Sequence, residues 1–306
     1  MLTRDMQRRV FLRRLAALAA AQASLAAQLP ANKNVRWALG TNLWNYFPRV
    51  PFTDILDCMR DTGFIGARLT QFPRILDTYN LTPAQLHKEI DKRGLHIVTI
   101  SFNGAFQDAS ARPAIFASAR AAMEFLRDFG ARDLVVFSPS RKSSGALTPQ
   151  GFKTMCESFN QLGDIAGVMG FRAGLHNHLG QMVQTPEEID RCMAQTDPRR
   201  FHFSPDTAHI HLAGGDVAAI LARYHSRITL LDYKDARRAA LPQGFREAIF
   251  DLGDGEIDFP ACHRVLKSMS YQGWICVDLD IARQGPKVSY ERCGAYITKT
   301  LEPIYV

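Results

Sequence analysis

The chain has 306 residues, 46% hydrophobic and 22% charged, a globular composition that excludes a disordered or fibrous chain and supplies apolar surface for a large core. Its formal charge of +7 is weak support for nucleic-acid binding, because residues 1–28 hold five Arg and one Asp and so contribute +4, leaving +3 for the remainder. No later Lys/Arg run is interleaved with aromatic residues, which also argues against that partner.

The first segment stands apart. Arg8 and Arg9 precede Val10-Phe11-Leu12, and a modest Ala-rich run follows from Leu15 to Ala27. This resembles a twin-arginine export signal over residues 1–28, with the body at 29–306. The resemblance implies the twin-arginine translocase as a partner and a periplasmic or exported location. The alternative is an uncleaved amphipathic helix. The run is short of the ~20 apolar residues that a membrane span needs.

Beyond it, strand-like runs alternate with helical ones. Trp37–Leu43 comes first, then a helix over Phe52–Thr62 with Ile55, Leu56 and Met59 at helical spacing. Gly66–Thr70 precedes a helix over Pro83–Lys92, which Thr82 caps with Pro83 at its first position. His96–Phe102 leads to Ala114–Phe129, and Leu134–Phe137 to Gln150–Met169. Ala173–His176 leads to Pro186–Ala194, which opens on a capping box of Thr185 and Glu188. His202–Pro205 is followed by Asp216–Tyr224, Ile228–Tyr233 by Phe259–Met269, and Trp274–Leu279 by Tyr290–Leu301. Gly63, Gly94, Gly130 and Gly170 are glycine stops between helix and strand. Near-continuous apolar runs such as Leu134-Val135-Val136-Phe137 are what parallel strands buried on both faces require. About eight β/α pairs, with no G-x-G-x-x-G after the first strand, predict a single-domain (β/α)₈ TIM barrel.

Cys58, Cys156, Cys192, Cys262, Cys276 and Cys293 include no C-x-x-C pair, so no zinc ribbon or redox motif is visible. They are expected as small buried hydrophobes.

In such a barrel the site lies at the C-terminal strand ends. The fifth strand ends His176-Asn177-His178, the sixth leads into Asp206-Thr207-Ala208-His209-Ile210-His211, the seventh ends Asp232-Tyr233-Lys234-Asp235 and the eighth Asp278-Leu279-Asp280. Alternation places His176 with His178, and Asp232 with Lys234. Carboxylates gathered with imidazole are what a divalent ion such as Mn, Co, Mg, Fe or Zn takes, and a cation removes their mutual repulsion. His176, Asp206, Asp232 and Asp278 are the candidate ligands. Each has a plainer reading: Asp206 as a helix cap, and His176 or His178 as hydrogen-bonding neighbours. His209 and His211, where a loop is expected to begin, contact either substrate or solvent. Lys234 either pairs with Asp235 or takes part in catalysis.

These residues resemble the xylose isomerase-like superfamily of sugar isomerases and epimerases, most closely its inosose dehydratase branch. The stretches that carry the likeness are His176-Asn177-His178-Leu179-Gly180, Asp206-Thr207-Ala208-His209, Ala213-Gly214-Gly215-Asp216, Tyr233-Lys234-Asp235, Gly253–Phe259 and Trp274–Asp278. The family's ligands are Glu, Asp, His and Glu on strands five to eight. Their positions here carry His176, Asp206, Asp232 and Asp278, so one imidazole and three carboxylates remain although three residues differ. The resemblance implies α-proton abstraction beside a carbonyl through a metal-bound enediolate, ending in isomerisation, epimerisation or elimination. His209 and Lys234 are the candidate base and acid. His178, His211, Trp44 and Phe72 are the candidate substrate contacts, with Trp44 and Phe72, at earlier strand ends, either packing on the sugar ring or belonging to the core. With export, the expected substrate is a keto-sugar, keto-inositol or oxidised glycoside. The rival is a non-catalytic sugar-binding barrel with a degenerate metal site. The superfamily's endonuclease branch needs a basic DNA-facing surface, and the remaining charge of +3 with no basic stretch argues against it.

Overall fold

Parallel strands alternate with helices throughout the computed structural model, which describes residues 34–305. The segment that resembles an export signal lies outside the described residues. The strands are β1 Val35–Gly40, β2 Gly66–Leu69, β3 His96–Phe102, β4 Asp133–Phe137, β5 Arg172–His176, β6 His202–Phe203 and β7 Leu231–Tyr233, followed by a small hairpin of β8 Asp235–Ala236 with β9 Ile249–Phe250, and finally β10 Gly273–Val277. The eight-stranded sheet runs β6-β5-β4-β3-β2-β1-β10-β7. Parallel bridges from Phe203 to Ile228 and from Asp206 to Asp232 bring its two ends together. The result is a single-domain (β/α)₈ TIM barrel, as the alternation predicts.

Side-chain alternation divides the core. Ala38, Val98, Val135, Leu230, Trp274 and Cys276 form one cluster inside the barrel. Leu134 and Val136, the neighbours of Val135, belong to the larger layer between sheet and helices. Capping sets the helix starts. Thr82 makes its capping box with Gln85, Thr185 makes its own with Glu188, and Thr148 accepts from the Gly151 amide. Gly63, Gly94, Gly130 and Gly170 stop their helices with φ of 87°, 64°, 73° and 77°.

Most element boundaries move by one or two residues, and three local differences matter for function. First, β1 ends at Gly40, and Thr41–Tyr46 forms a 3₁₀ turn rather than continuing the strand. Second, Asp206 caps a helix over Thr207–Leu212, so His209 and His211 sit on helical turns and not in a loop. Third, the β8–β9 hairpin and its connection form an excursion after β7 with no counterpart in the apolar pattern. The last long helix spans Pro286–Tyr296 and passes into a π turn, Ile297–Leu301. The six cysteines are free, five buried and Cys58 half-buried. No helix among the described residues is long and apolar enough to cross a membrane.

Candidate active site

Adjacent strands deliver the polar groups, and backbone pairing fixes their register. The Asn177 side chain bonds both ways to the Asp206 backbone: its Oδ1 accepts from the Asp206 amide at 3.0 Å and its Nδ2 donates to the Asp206 carbonyl at 3.3 Å. The Thr207 hydroxyl does the same for Lys234, donating to its carbonyl at 2.8 Å and accepting from its amide at 2.9 Å. Asp206 Oδ1 caps the following helix through the His209 amide at 3.2 Å. The capping role and a site role therefore coexist in Asp206, because Oδ2 is free of the cap and, although 3.2 Å from the Lys234 ammonium, has no hydrogen bond of good geometry.

His176, Asp206 and Asp232 are fully buried, with one ligand atom of each within 4.8 Å of the others. His176 Nδ1 lies 3.0 Å from Asp232 Oδ2, and His176 Nε2 lies 3.8 Å from Asp206 Oδ2. Both ring nitrogens of His176, Asp206 Oδ2 and Asp232 Oδ1 have no hydrogen-bond partner of good geometry. Buried polar atoms are seldom left so. Burial lowers His176 to about 3, so its ring is neutral and can act as a ligand. Burial also raises Asp206 and Asp232, each to about 6.

Two buried cations share this space. The Lys234 ammonium lies 2.6 Å from Asp278 Oδ2, 2.7 Å from Asp280 Oδ2 and 3.2 Å from Asp206 Oδ2. Arg68, on β2, pairs through Nη1 with Asp232 and through Nη2 with Asp278 Oδ1 at 2.8 Å. Burial works against both charges, yet the surrounding carboxylates outweigh it and hold both groups well above their usual values. Burial likewise pushes Asp278 up, and Arg68 and Lys234 together reverse it and hold the carboxyl well below the usual range. Four buried carboxylates against two fixed cations leave two negative charges uncompensated. One divalent ion would balance them, and the unpartnered His and carboxylate atoms are the donors it takes. The residues present therefore fit a divalent metal held by His176, Asp206 and Asp232.

The other expected residues divide. Asp278 has both oxygens ion-paired to cations, which makes it a counterion in this structure. Lys234 pairs with three carboxylates but not with Asp235, which instead accepts backbone N–H groups from Ala236, Gly253, Gly255 and Ile257. His178 and His209 come together with ring centroids 3.7 Å apart. His211 is tied to Glu256 at 3.0 Å, away from the cluster. Trp44 stacks on Tyr290 at 5.7 Å, because the chain turns after Gly40 and buries it behind the strand end. Phe72 packs on Phe125 at 4.5 Å. Neither aromatic makes a ring contact with His176, His178 or His209. The rings that do are Phe137, 4.2 Å from His176, and Phe245, 5.7 Å from His178 and 5.8 Å from His209. Phe245 and Arg246 belong to the β8–β9 excursion. Arg246 stacks over Tyr46 at 3.6 Å and donates from Nε to the Asp280 carbonyl at 3.0 Å, so the excursion closes over the rim. A broad surface concavity lined by Pro83, His87 and Phe129 holds none of these groups.

Arg68 lies outside the strand-end acidic and imidazole motifs, so those motifs do not reveal it. The available signal was a charged residue inside the apolar run Gly66–Leu69, where an unpaired charge is not tolerated.

Residues 56–292 match the family Xylose isomerase-like TIM barrel, and the chain belongs to that family. Among curated proteins, an inosose dehydratase of Bacillus velezensis is 34% identical over 68% of this chain and 75% of its own length. Among solved structures, IolI, determined with a zinc atom, superposes with a TM-score of 0.74 at 14% identity, covering 88% of this chain and 99% of that one. A 3-keto-D-glucoside 4-epimerase from E. coli, YcjR, gives a TM-score of 0.68 at 17% identity over 86% and 98%. These relatives support a sugar-modifying enzyme of this family.

Proposed function

We propose that this chain is an exported, metal-dependent isomerase, epimerase or dehydratase acting on a keto-sugar, keto-inositol or oxidised glycoside by abstraction of a proton beside a carbonyl. The observation that carries the reading is the buried trio His176, Asp206 and Asp232, with ligand atoms that lack a hydrogen bond of good geometry and two uncompensated negative charges around it. When bound there, a divalent ion polarises a carbonyl as a Lewis acid. Twin-arginine export, which the first residues resemble, carries folded proteins and so permits metal loading beforehand.

The chain's own hydrogen bonds support one division of the proton roles. His178 Nδ1 donates to the Leu179 carbonyl at 2.6 Å, so its lone pair is on Nε2. His209 Nδ1 accepts from the Leu179 amide at 3.4 Å, so its proton is on Nε2. Burial lowers His178 to about 4 and His209 well below its usual value, and both are neutral at pH 7. His178 Nε2 thus accepts the α-proton, and His209 Nε2–H donates a hydrogen bond to developing negative charge. Lys234 stays protonated and serves as a fixed positive pole, not a base. Phe245 and Arg246 keep water from the reacting carbon.

One observation favours the rival reading, a barrel that only binds sugar: Arg68 and Lys234 already neutralise half of the buried acid. Incubation in D₂O with keto-inositols and 3-keto-glucosides, followed by NMR, separates the two. Exchange of the α-proton, lost on chelation, supports the enzyme. Ligand-induced shifts without exchange or turnover support the binding barrel.

A further inference from the structure

The structure places a guanidinium on two of the four positions expected to ligate metal. Arg68 enters from β2, on the opposite side of β1 from β10 and β7, and spans Asp232 with one nitrogen and Asp278 with the other. The arginine is 2% exposed and the two aspartates 0% and 2%, so no solvent competes for these contacts. Arg Nη1 and Nη2 each bind one carboxylate in a rigid fork, a geometry that a lysine cannot reproduce. Gly40 makes the arrangement possible: a Cβ there would lie 2.3 Å from Asp278 Oδ1, the oxygen that faces Arg68.

We propose that Arg68 sets the ligand number and the affinity of the metal centre. By holding Asp278, it removes the fourth ligand and leaves the ion to His176, Asp206 and Asp232. By holding Asp232 Oδ2, it leaves Oδ1 as that residue's donor. Its positive charge opposes the ion directly, so the ion is held more weakly than by three carboxylates and an imidazole. A bound ion would then lack the ligand that Asp278 would otherwise supply. Arg68 is a positioning residue, acting through Asp232 and Asp278.

The inference rests on the metal reading above, and the test separates the two. Metal-stripped wild type, Arg68→Met, Asp278→Asn and the double variant are titrated with Co²⁺ against a chromophoric chelator, with the visible Co²⁺ spectrum recorded. Arg68→Met is expected to bind Co²⁺ at least tenfold more tightly than wild type. Its spectrum is expected to shift as Asp278 enters the coordination sphere. Asp278→Asn is then expected to cost at least tenfold in the Arg68→Met background and less than threefold in wild type. Co²⁺ binding by Arg68→Met alone, with none by wild type, also supports the proposal. Equal or weaker binding by Arg68→Met, or an equal Asp278→Asn effect in both backgrounds, overturns it while leaving the metal site standing. No binding by any of the four overturns both readings. Should Arg68→Met not fold without metal, Arg68→Lys carries the same comparison, because a single ammonium cannot bridge both carboxylates.

Discussion

The Lys234 ammonium lies 2.6 Å from an oxygen of Asp278, with both side chains sealed from solvent. Buried charges are tolerated only as mutual partners, and removing one member strands the other. Lys234→Met leaves Asp206, Asp278 and Asp280 without this cation. It is expected to destabilise the metal-free protein by about 3–5 kcal/mol in urea unfolding. A loss below about 1 kcal/mol would mean that Lys234 is dispensable to the cluster.

The tautomers fixed by Leu179 make His178 and His209 unequal. His178→Ala is expected to lower α-proton exchange by at least about 100-fold, the usual share of a general base. His209→Asn is expected to reduce it less, because a hydrogen-bond donor remains. Preserved exchange in His178→Ala beside its loss in His209→Asn would reverse the two roles.

Gly40 tests how tightly the rim is packed. Gly40→Ala puts a methyl 2.3 Å from Asp278 Oδ1 and 2.4 Å from Asn42 Oδ1. It is expected to cost about 1–3 kcal/mol, the usual penalty of overpacking. Gly167→Ala, on a helix with nothing within 4 Å, is the control and is expected to gain about 0.5–1 kcal/mol. Equal effects at the two sites would contradict the steric account.

Far from the cluster, His263 is fully buried, stacked on Trp37 at 5.8 Å and 3.3 Å from the Tyr233 hydroxyl. Burial lowers it to about 4. The unfolded chain takes up this proton first as pH falls, so the stabilisation is complete above about pH 6.5 and lost as pH falls to about 4. The full share of the group is on the order of 3 kcal/mol. Relative to wild type, His263→Phe is expected to gain about 2–3 kcal/mol between pH 7 and pH 4.5. Parallel pH profiles for the two proteins would contradict the assignment.

The barrel was legible because burial on both faces of each strand writes long apolar runs, and because helix caps and glycine stops are local signals. Leu134–Phe137 and the Thr185 capping box read directly. The acidic and histidine groups at strand ends read equally well, since few other positions carry such residues after an apolar run. What did not read depended on where the chain turns. The apolar run Trp37–Leu43 reads as one strand with Trp44 at its end, but the strand stops at Gly40 and the 3₁₀ turn that follows stacks Trp44 on Tyr290. Phe245 and Arg246 lie in an excursion without apolar period, so only the folded chain brings them over His178 and Asp280. Arg68 and Asp278 are 210 positions apart in the numbering, and no local pattern pairs them.

The central claim is a divalent ion held by His176, Asp206 and Asp232, and its most direct test is the metal content of protein purified without chelators, beside Asp206→Ala. Near one equivalent of divalent metal in wild type, absent from the variant, is the result expected. No metal in either protein, even after incubation with Mn²⁺, Co²⁺ or Zn²⁺, would contradict the metalloenzyme account and leave a sugar-binding barrel whose buried acids are balanced by Arg68, Lys234 and bound protons.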